Sequence, residues 1–196
     1  MTIVYSYKRN IYLNLTNRCP NRCCFCVRNN KDTLGDADSL WLDREPTVDE
    51  VIGELDGWDM DGYEEIVFCG YGEPTERMED VLTIADIIHE RYGKRTRLNT
   101  NGLANLINGR DVIPDMRGRI DRVSISLNAP TSERYLEICE PRFGVGSYEA
   151  LISFIEECRS VIGNVTVTAV SGPISDDEEA ECAAIARRMG VRYFTR

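Results

Sequence analysis

Cys19-Pro20-Asn21-Arg22-Cys23-Cys24-Phe25-Cys26 is the stretch of this chain with the clearest capacity for chemistry. Thiolates at its first, fifth and eighth positions can converge on one face of an iron–sulfur cube and leave the fourth iron without a protein ligand. An open iron can bind a substrate or a cofactor. A structural zinc site is the competing use of such thiols, but it wants four ligands in two separated pairs. No matching Cys or His pair follows, and His89 is the sole histidine, placed within a helix-like run where a solvated surface role is expected. The other cysteines do not extend the pattern. Cys24 has no place in it, Cys139, Cys158 and Cys182 read as small buried hydrophobes on helices, and Cys69 reads as a packing residue at a strand end.

Two more segments offer ligand-binding groups. In Cys69-Gly70-Tyr71-Gly72-Glu73-Pro74-Thr75, the glycines allow the backbone to approach a ligand closely and Glu73 offers an acceptor, with Thr75 expected to cap the helix that follows. The run Leu98-Asn99-Thr100-Asn101-Gly102 ends a strand in amide and hydroxyl side chains, and Asn-Gly is also an ordinary turn signal.

These segments sit on a regular alternation of strand-like and helix-like runs, the pattern of a parallel α/β sheet or barrel. Six strands are expected, at Ile11–Thr16, Glu65–Cys69, Arg95–Thr100, Arg122–Asn128, Val165–Val170 and Val191–Thr195. Between them, Thr47 with Glu50 and Ser175 with Glu178 form capping boxes, and Gly190 supplies a helix stop. The cysteine loop follows the first strand, at the end where α/β folds place their active sites. Several strands alternate rather than running continuously apolar. Ile11, Leu13 and Leu15 oppose Tyr12, Asn14 and Thr16, while Val123, Ile125 and Leu127 oppose Ser124, Ser126 and Asn128. Thr166 and Thr168 repeat the alternation. If the apolar parity packs on helices, the polar parity lines a cavity for a polar ligand, as in an incomplete six-stranded barrel. An antiparallel sheet with one wet face would alternate in the same way, but the intervening helices favour crossovers.

The spacing Cys-x3-Cys-x2-Cys, with Phe25 before the last cysteine, resembles the cluster loop of the radical S-adenosylmethionine (SAM) superfamily. The resemblance implies a partial (β/α)6 barrel and a 4Fe–4S cluster on Cys19, Cys23 and Cys26, whose open iron chelates the methionine part of SAM. It also implies an electron donor such as flavodoxin or ferredoxin, and reductive cleavage of SAM to a 5′-deoxyadenosyl radical that takes hydrogen from a substrate. Cys69 to Thr75 is similar to the family's Gly-Gly-Glu-Pro motif, with Tyr71 replacing one glycine, so Phe25, Gly70, Tyr71, Gly72 and Glu73 are assigned to SAM. Leu98 to Gly102 resembles the corresponding segment of glycyl-radical activating enzymes, which assigns Asn99, Ser126 and Asn128 to the same cofactor; such groups donate and accept at once, as a ribose diol requires. The runs Tyr12 to Cys19 and Ser126 to Pro130 are also similar to the TatD-associated radical SAM proteins.

Length and charge set the remaining expectations. At 196 residues with 42% hydrophobic content the chain fits one domain, residues 1–196. A net charge of −10 with scattered basic residues argues against non-specific nucleic-acid binding. The apolar runs are too short to span a bilayer, and Met1 to Arg9 lack a signal-peptide layout, so a cytoplasmic enzyme with reduced thiols is expected. The sixth strand ends the chain, which leads to the expectation of an uncovered mouth suited to a large or flexible substrate. Loops 31–46 and 140–146 could instead close around a small one. A glycyl-radical activase acting on a partner protein, and a non-catalytic iron–sulfur or zinc protein, are the alternative functions. Asp32, Asp36, Asp38, Asp43 and Glu45 between the cysteine loop and the next helix suggest a surface that steers a basic partner.

Overall fold

The computed structural model describes residues 1–29, 35–37 and 39–196. Seven strands form one open sheet in chain order. β1 (Val4–Tyr7) pairs antiparallel with β2 (Asn10–Leu13). From β2 onward every pairing is parallel, through β3 (Glu65–Phe68), β4 (Arg95–Thr100), β5 (Arg122–Ser126), β6 (Val165–Ala169) and β7 (Arg192–Thr195). All six expected strands are present, and together they make the partial barrel that the alternation predicted. β1 was not expected. It is joined to β2 by a two-residue turn over Lys8 and Arg9 in which Lys8 takes φ 57°, without the Asn-Gly or Asp-Gly pair that usually announces such a turn.

Helices occupy the crossovers. α1 (Val48–Leu55) carries the expected capping box, with Glu50 N donating to Thr47 Oγ1 at 3.2 Å and Thr47 N donating to Glu50 Oε2 at 2.8 Å. α7 (Asp176–Met189) repeats it at Ser175 and Glu178, and ends where Gly190 takes φ 67°. α2 (Met78–Ile87) departs from expectation at both ends. Its start has no side-chain cap: Thr75 lies within a 3₁₀ turn, Pro74–Arg77, whose cap is Glu73. Its last turn widens into a π-helical segment, Ile88–Tyr92, which places His89 Nε2 2.9 Å from Asp121 Oδ2. Three further helices are α3 (Ala104–Asn108), α4 (Ile113–Met116) and α5 (Ser132–Cys139), and α6 (Ser147–Val161) carries Leu151, Phe154, Ile155 and Cys158 into the core.

The apolar strand parity packs on these helices as expected. Ile11, Leu13, Leu15, Val123, Ile125, Leu127, Val165 and Val167 join Val51, Leu55, Val81, Ile84, Phe154 and Ile155 in one buried core, together with Cys139, Cys158 and Cys182. The opposite face divides in two. On β1 to β3 it is mostly apolar, with Asn10 and Glu65 at the strand starts, and Tyr5, Tyr12, Ala37, Leu40, Val67 and Tyr71 form a second cluster in which Tyr5 stacks on Tyr12 with ring centres 5.2 Å apart. On β4 to β7 it is polar and faces a cavity of ≈ 830 Å³ lined by Asn99, Ser124, Thr166 and Thr168. Asn14 and Thr16 were expected to line that cavity and do not. The chain leaves the sheet at Leu13, so Asn14 is buried, donating through Nδ2 to Thr2 O (3.0 Å) and Leu40 O (2.8 Å), and Thr16 Oγ1 donates to Glu45.

Gly102 follows β4 at φ 80°, and a Cβ there would lie 2.3 Å from Leu151 Cδ1 and 2.9 Å from Ile125 Cγ2. Left-handed strain and overpacking act together at this position, so Gly102→Ala should lower unfolding free energy by roughly 2–4 kcal/mol. Urea denaturation checks this; an unchanged midpoint would show that the turn relaxes freely.

Candidate active site

The cysteine loop leaves β2 and is fastened to the far side of the barrel. Arg22 N donates to Cys139 O at 3.0 Å, Cys24 N to Ile138 O at 3.0 Å, Arg142 N to Pro20 O at 2.7 Å, and Asn21 Nδ2 to Tyr135 OH at 3.1 Å. The loop thus lies on the C-terminal end of α5. Within it, Cys26 N donates to Cys23 O at 3.1 Å, which turns the chain between the second and third candidate ligands. Cys19, Cys23 and Cys26 are half-buried and Cys24 is exposed, as its lack of a role in the spacing suggested. Burial pushes the Cys19 thiol up to about 12. Cys23 moves the other way because the Cys139 thiol hydrogen-bonds to it, so of this pair Cys23 ionises first. Among the described residues no three His, Cys, Asp or Glu side chains are gathered closely enough to hold a single metal ion.

The glycine turn after β3 lies against the base of that loop. A Cβ on Gly72 would fall 2.2 Å from Thr16 O and 2.6 Å from Arg18 O, and one on Gly70 would fall 2.0 Å from Asn14 Oδ1. These are close approaches that only glycine permits, and Glu73 N donates to Arg18 O at 2.8 Å across the same contact. The Glu73 carboxylate is buried. It accepts from Thr75 N (3.1 Å), Thr75 Oγ1 (2.8 Å), Thr100 Oγ1 (2.8 Å) and Asn101 N (2.7 Å), so it clamps the turn after β3 to the turn after β4. Tyr71 is buried edge-on to Trp41 with ring centres 5.2 Å apart, and Phe25 packs on the main core.

Asn99 and Asn128 are placed differently. Asn99 faces the cavity with its side chain against the Cys69 thiol, and its Oδ1 is buried without a partner. Asn128 takes φ 60° just beyond β5, and its Nδ2 donates to Cys139 Sγ at 3.8 Å. Its Oδ1 too is buried and unpartnered. Cys139 therefore touches both Cys23 and Asn128, a contact that the reading of Cys139 as core alone missed. Ser126 Oγ accepts from Arg196 Nη2 at 2.9 Å. Three thiols on one pinned loop, a glycine cradle beneath them and two free amide oxygens beside them fit a sulfur-ligated cluster with a polar cofactor alongside.

Of the five carboxylates expected after the cysteine loop, three lie within the described residues. Asp36 accepts from Ser6 N at 2.6 Å and Ser6 Oγ at 2.7 Å, and Glu45 pairs with Arg18 at 2.7 Å. Asp43 is exposed, while Asp32 and Asp38 lie outside the described residues. No helix among the described residues is long and apolar enough to cross a membrane.

Burial raises the pKa of Glu73 despite its four donors, so the folded state holds this proton to higher pH than the unfolded chain. Its contribution to stability is full below the ordinary carboxylate range and is lost as pH rises through the raised value. Unfolding free energy measured from pH 4 upward should carry that falling component in the native chain, and Glu73→Gln should flatten it. An identical pH slope in both proteins would remove Glu73 as its source.

Comparison with known proteins agrees with this geometry. The family model described as the Radical SAM superfamily matches residues 13–184. The chain is 29% identical over 186 residues to a protein named "Probable GTP 3',8-cyclase" from Thermococcus kodakarensis, covering 93% of this chain and 54% of that relative. Among solved structures, a radical SAM methyltransferase from Sphaerobacter thermophilus superposes with a TM-score of 0.68 at 20% identity, over 98% of this chain and 57% of the other. Streptococcus suis SuiB bound to precursor peptide SuiA gives 0.68 at 16% identity, over 98% and 40%. The chain spans about half the length of these relatives, and with residues 13–184 matched it belongs to the radical SAM superfamily, whose members use a 4Fe–4S cluster and SAM.

Proposed function

We propose that this chain is the catalytic core of a radical SAM enzyme, with Cys19, Cys23 and Cys26 as the cluster ligands and Asn99, Ser126 and Asn128 as contacts to SAM. When bound, the reduced cluster supplies the electron that cleaves SAM to methionine and a 5′-deoxyadenosyl radical able to abstract hydrogen. The chain's own residues hold and orient. The observation that carries this reading is the contact of Cys139 with both Cys23 and Asn128, which sets an unpartnered amide oxygen beside a candidate cluster ligand. Asn99 Oδ1 and Asn128 Oδ1 can each accept from a hydroxyl, and Ser126 can exchange its Arg196 contact for one to the cofactor. This reading gives SAM the backbone of Gly70, Tyr71 and Gly72 on the turn that packs against the base of the cysteine loop, while Phe25 packs on the core and Glu73 fixes the turn. A small electron carrier such as a flavodoxin or ferredoxin is the reductant of this scheme.

Anaerobically reconstituted protein should be brown and carry about four irons and four sulfides per chain. Cys19→Ala, Cys23→Ala and Cys26→Ala should each lose the iron, and Cys24→Ala should keep it. Stoichiometric zinc in place of iron, or equal loss in Cys24→Ala, overturns the ligand set.

Reduced, cluster-loaded protein should release methionine and 5′-deoxyadenosine from SAM, and a failure to bind SAM would favour an electron-transfer or binding protein. Asn99→Ala should weaken SAM binding roughly twofold to tenfold, the range of one net hydrogen bond of about 0.5–1.5 kcal/mol. Equilibrium binding measures it, and an unchanged affinity would take Asn99 out of the site.

A further inference from the structure

The polar cavity has a basic floor that SAM binding does not account for. Five cationic side chains line it, Lys8, Arg97, Arg122, Arg192 and Arg196, and among the described residues no Asp or Glu does. This concentration occurs in a chain whose net charge is −10. Arg97 and Arg122 are register partners on β4 and β5, and they share one carboxylate, Glu65 on β3. Arg97 Nη1 lies 3.2 Å from Glu65 Oε1, and Arg122 Nη1 lies 3.4 Å from Glu65 Oε2. Their side chains are 24% and 34% exposed and that of Glu65 is 5% exposed, so the three form a sheltered group with an excess positive charge.

The excess comes with unused donors. Arg97 Nε and Arg122 Nε are both buried without a hydrogen-bond partner, and Asn10 Oδ1 on the same wall is also unpartnered. A guanidinium removed from water and only half paired is costly, and the missing partner it best accommodates is a planar or tetrahedral oxyanion held by parallel N–H donors. Arg97 also donates through Nη2 to Tyr12 OH at 3.2 Å, which holds its plane against the aromatic wall.

Position separates this floor from the cofactor. Arg97 precedes Asn99 by two residues on the same face of β4, and Arg122 precedes Ser126 by four on β5, which at about 3.3 Å per residue puts their backbone positions roughly 7 and 13 Å further from the mouth. A cavity of ≈ 830 Å³ has room for a compact molecule reaching from the floor to the mouth.

We propose that Arg97 and Arg122, with Lys8 beside them, bind the oxyanion of a small substrate, a phosphate or carboxylate group, at the floor of the lumen. Anchoring there fixes which carbon of the substrate reaches the mouth. The role of the anchored molecule as substrate rests on the radical SAM reading; the anion site itself does not.

The test is calorimetric titration of the anaerobically reconstituted protein at low salt, with inorganic pyrophosphate and with succinate as probes. One of them should bind saturably at one site per chain, and rising NaCl should weaken it. Arg97→Gln and Arg122→Gln should each weaken binding at least tenfold, with Arg122→Lys falling between native and Gln. Glu65→Gln, which frees both guanidiniums, should strengthen binding several-fold, a gain that a purely structural Glu65 would not produce and that remains readable if the arginine variants fail to fold. Preference for pyrophosphate identifies a phosphoryl group, and preference for succinate a carboxylate. No saturable binding of either probe, or equal affinity in the native protein and all these variants, overturns the proposal. Iron content and SAM cleavage are read separately, so loss of the cluster reading with anion binding intact, or the reverse, shows which of the two has failed.

Discussion

The buried carboxylate of Glu73, accepting from Thr75, Thr100 and Asn101, joins the turn after β3 to the turn after β4. Through its own backbone N–H it also meets Arg18 O at the base of the cysteine loop. Three strand-end segments thus share one residue. Burying a carboxylate is expensive, and four donors are what make it tolerable. The clamp can form only because Gly72, beside Glu73, has no side chain to hold the two loops apart. The other end of the cysteine loop is fixed independently, by backbone bonds to the C-terminus of α5, so the candidate ligands are positioned from both sides of the open barrel.

Behind this mouth the sheet uses its two faces for different purposes. The helix-facing parity is apolar along β2, β3, β5 and β6, and with Leu98 of β4 it makes one continuous core. The inner face is filled on β1 to β3 by stacked tyrosines and aliphatic side chains, and stays polar on β4 to β7. The cavity therefore lies mainly over β4 to β7, with Tyr7, Asn10 and Tyr12 of β1 and β2 as its opposite wall. The asymmetry also explains why a strand with no counterpart in the expected barrel matters: β1 contributes Tyr5 to the apolar plug and brings Lys8 to the cavity edge.

Charge is distributed in the same divided way. The chain is acidic overall, yet its cavity is lined by five cations and, among the described residues, by no Asp or Glu. Of the acidic residues near the mouth, Glu45 is paired with Arg18, while Asp36 holds Ser6 through hydrogen bonds and keeps its charge. A concave, low-dielectric wall concentrates the field of the few charges that line it, so five cations there count for more than a larger number of scattered surface carboxylates.

Features encoded in nearby residues were legible from the sequence alone. The cysteine spacing, the six parallel strands, both capping boxes and the opposition of apolar and polar parity are patterns of period two, period 3.6 or fixed short offset, and local chain geometry enforces them. Parity also held the clue to Arg97 and Arg122, which lie in step with Asn99 and Ser124 and could have been assigned to the lumen on that ground. What the sequence could not decide were the contacts set by strand register and crossover packing. Cys139 lies 116 residues from Cys23 and Arg122 lies 57 from Glu65, and no local pattern links either pair. The clamp made by Glu73 is of the same kind in part, because two of its four donors, Thr100 Oγ1 and Asn101 N, come from the end of a different strand. Which loop a carboxylate faces, which thiol a cysteine touches and which guanidiniums share a counter-ion were decided only when the parallel strands took their places side by side.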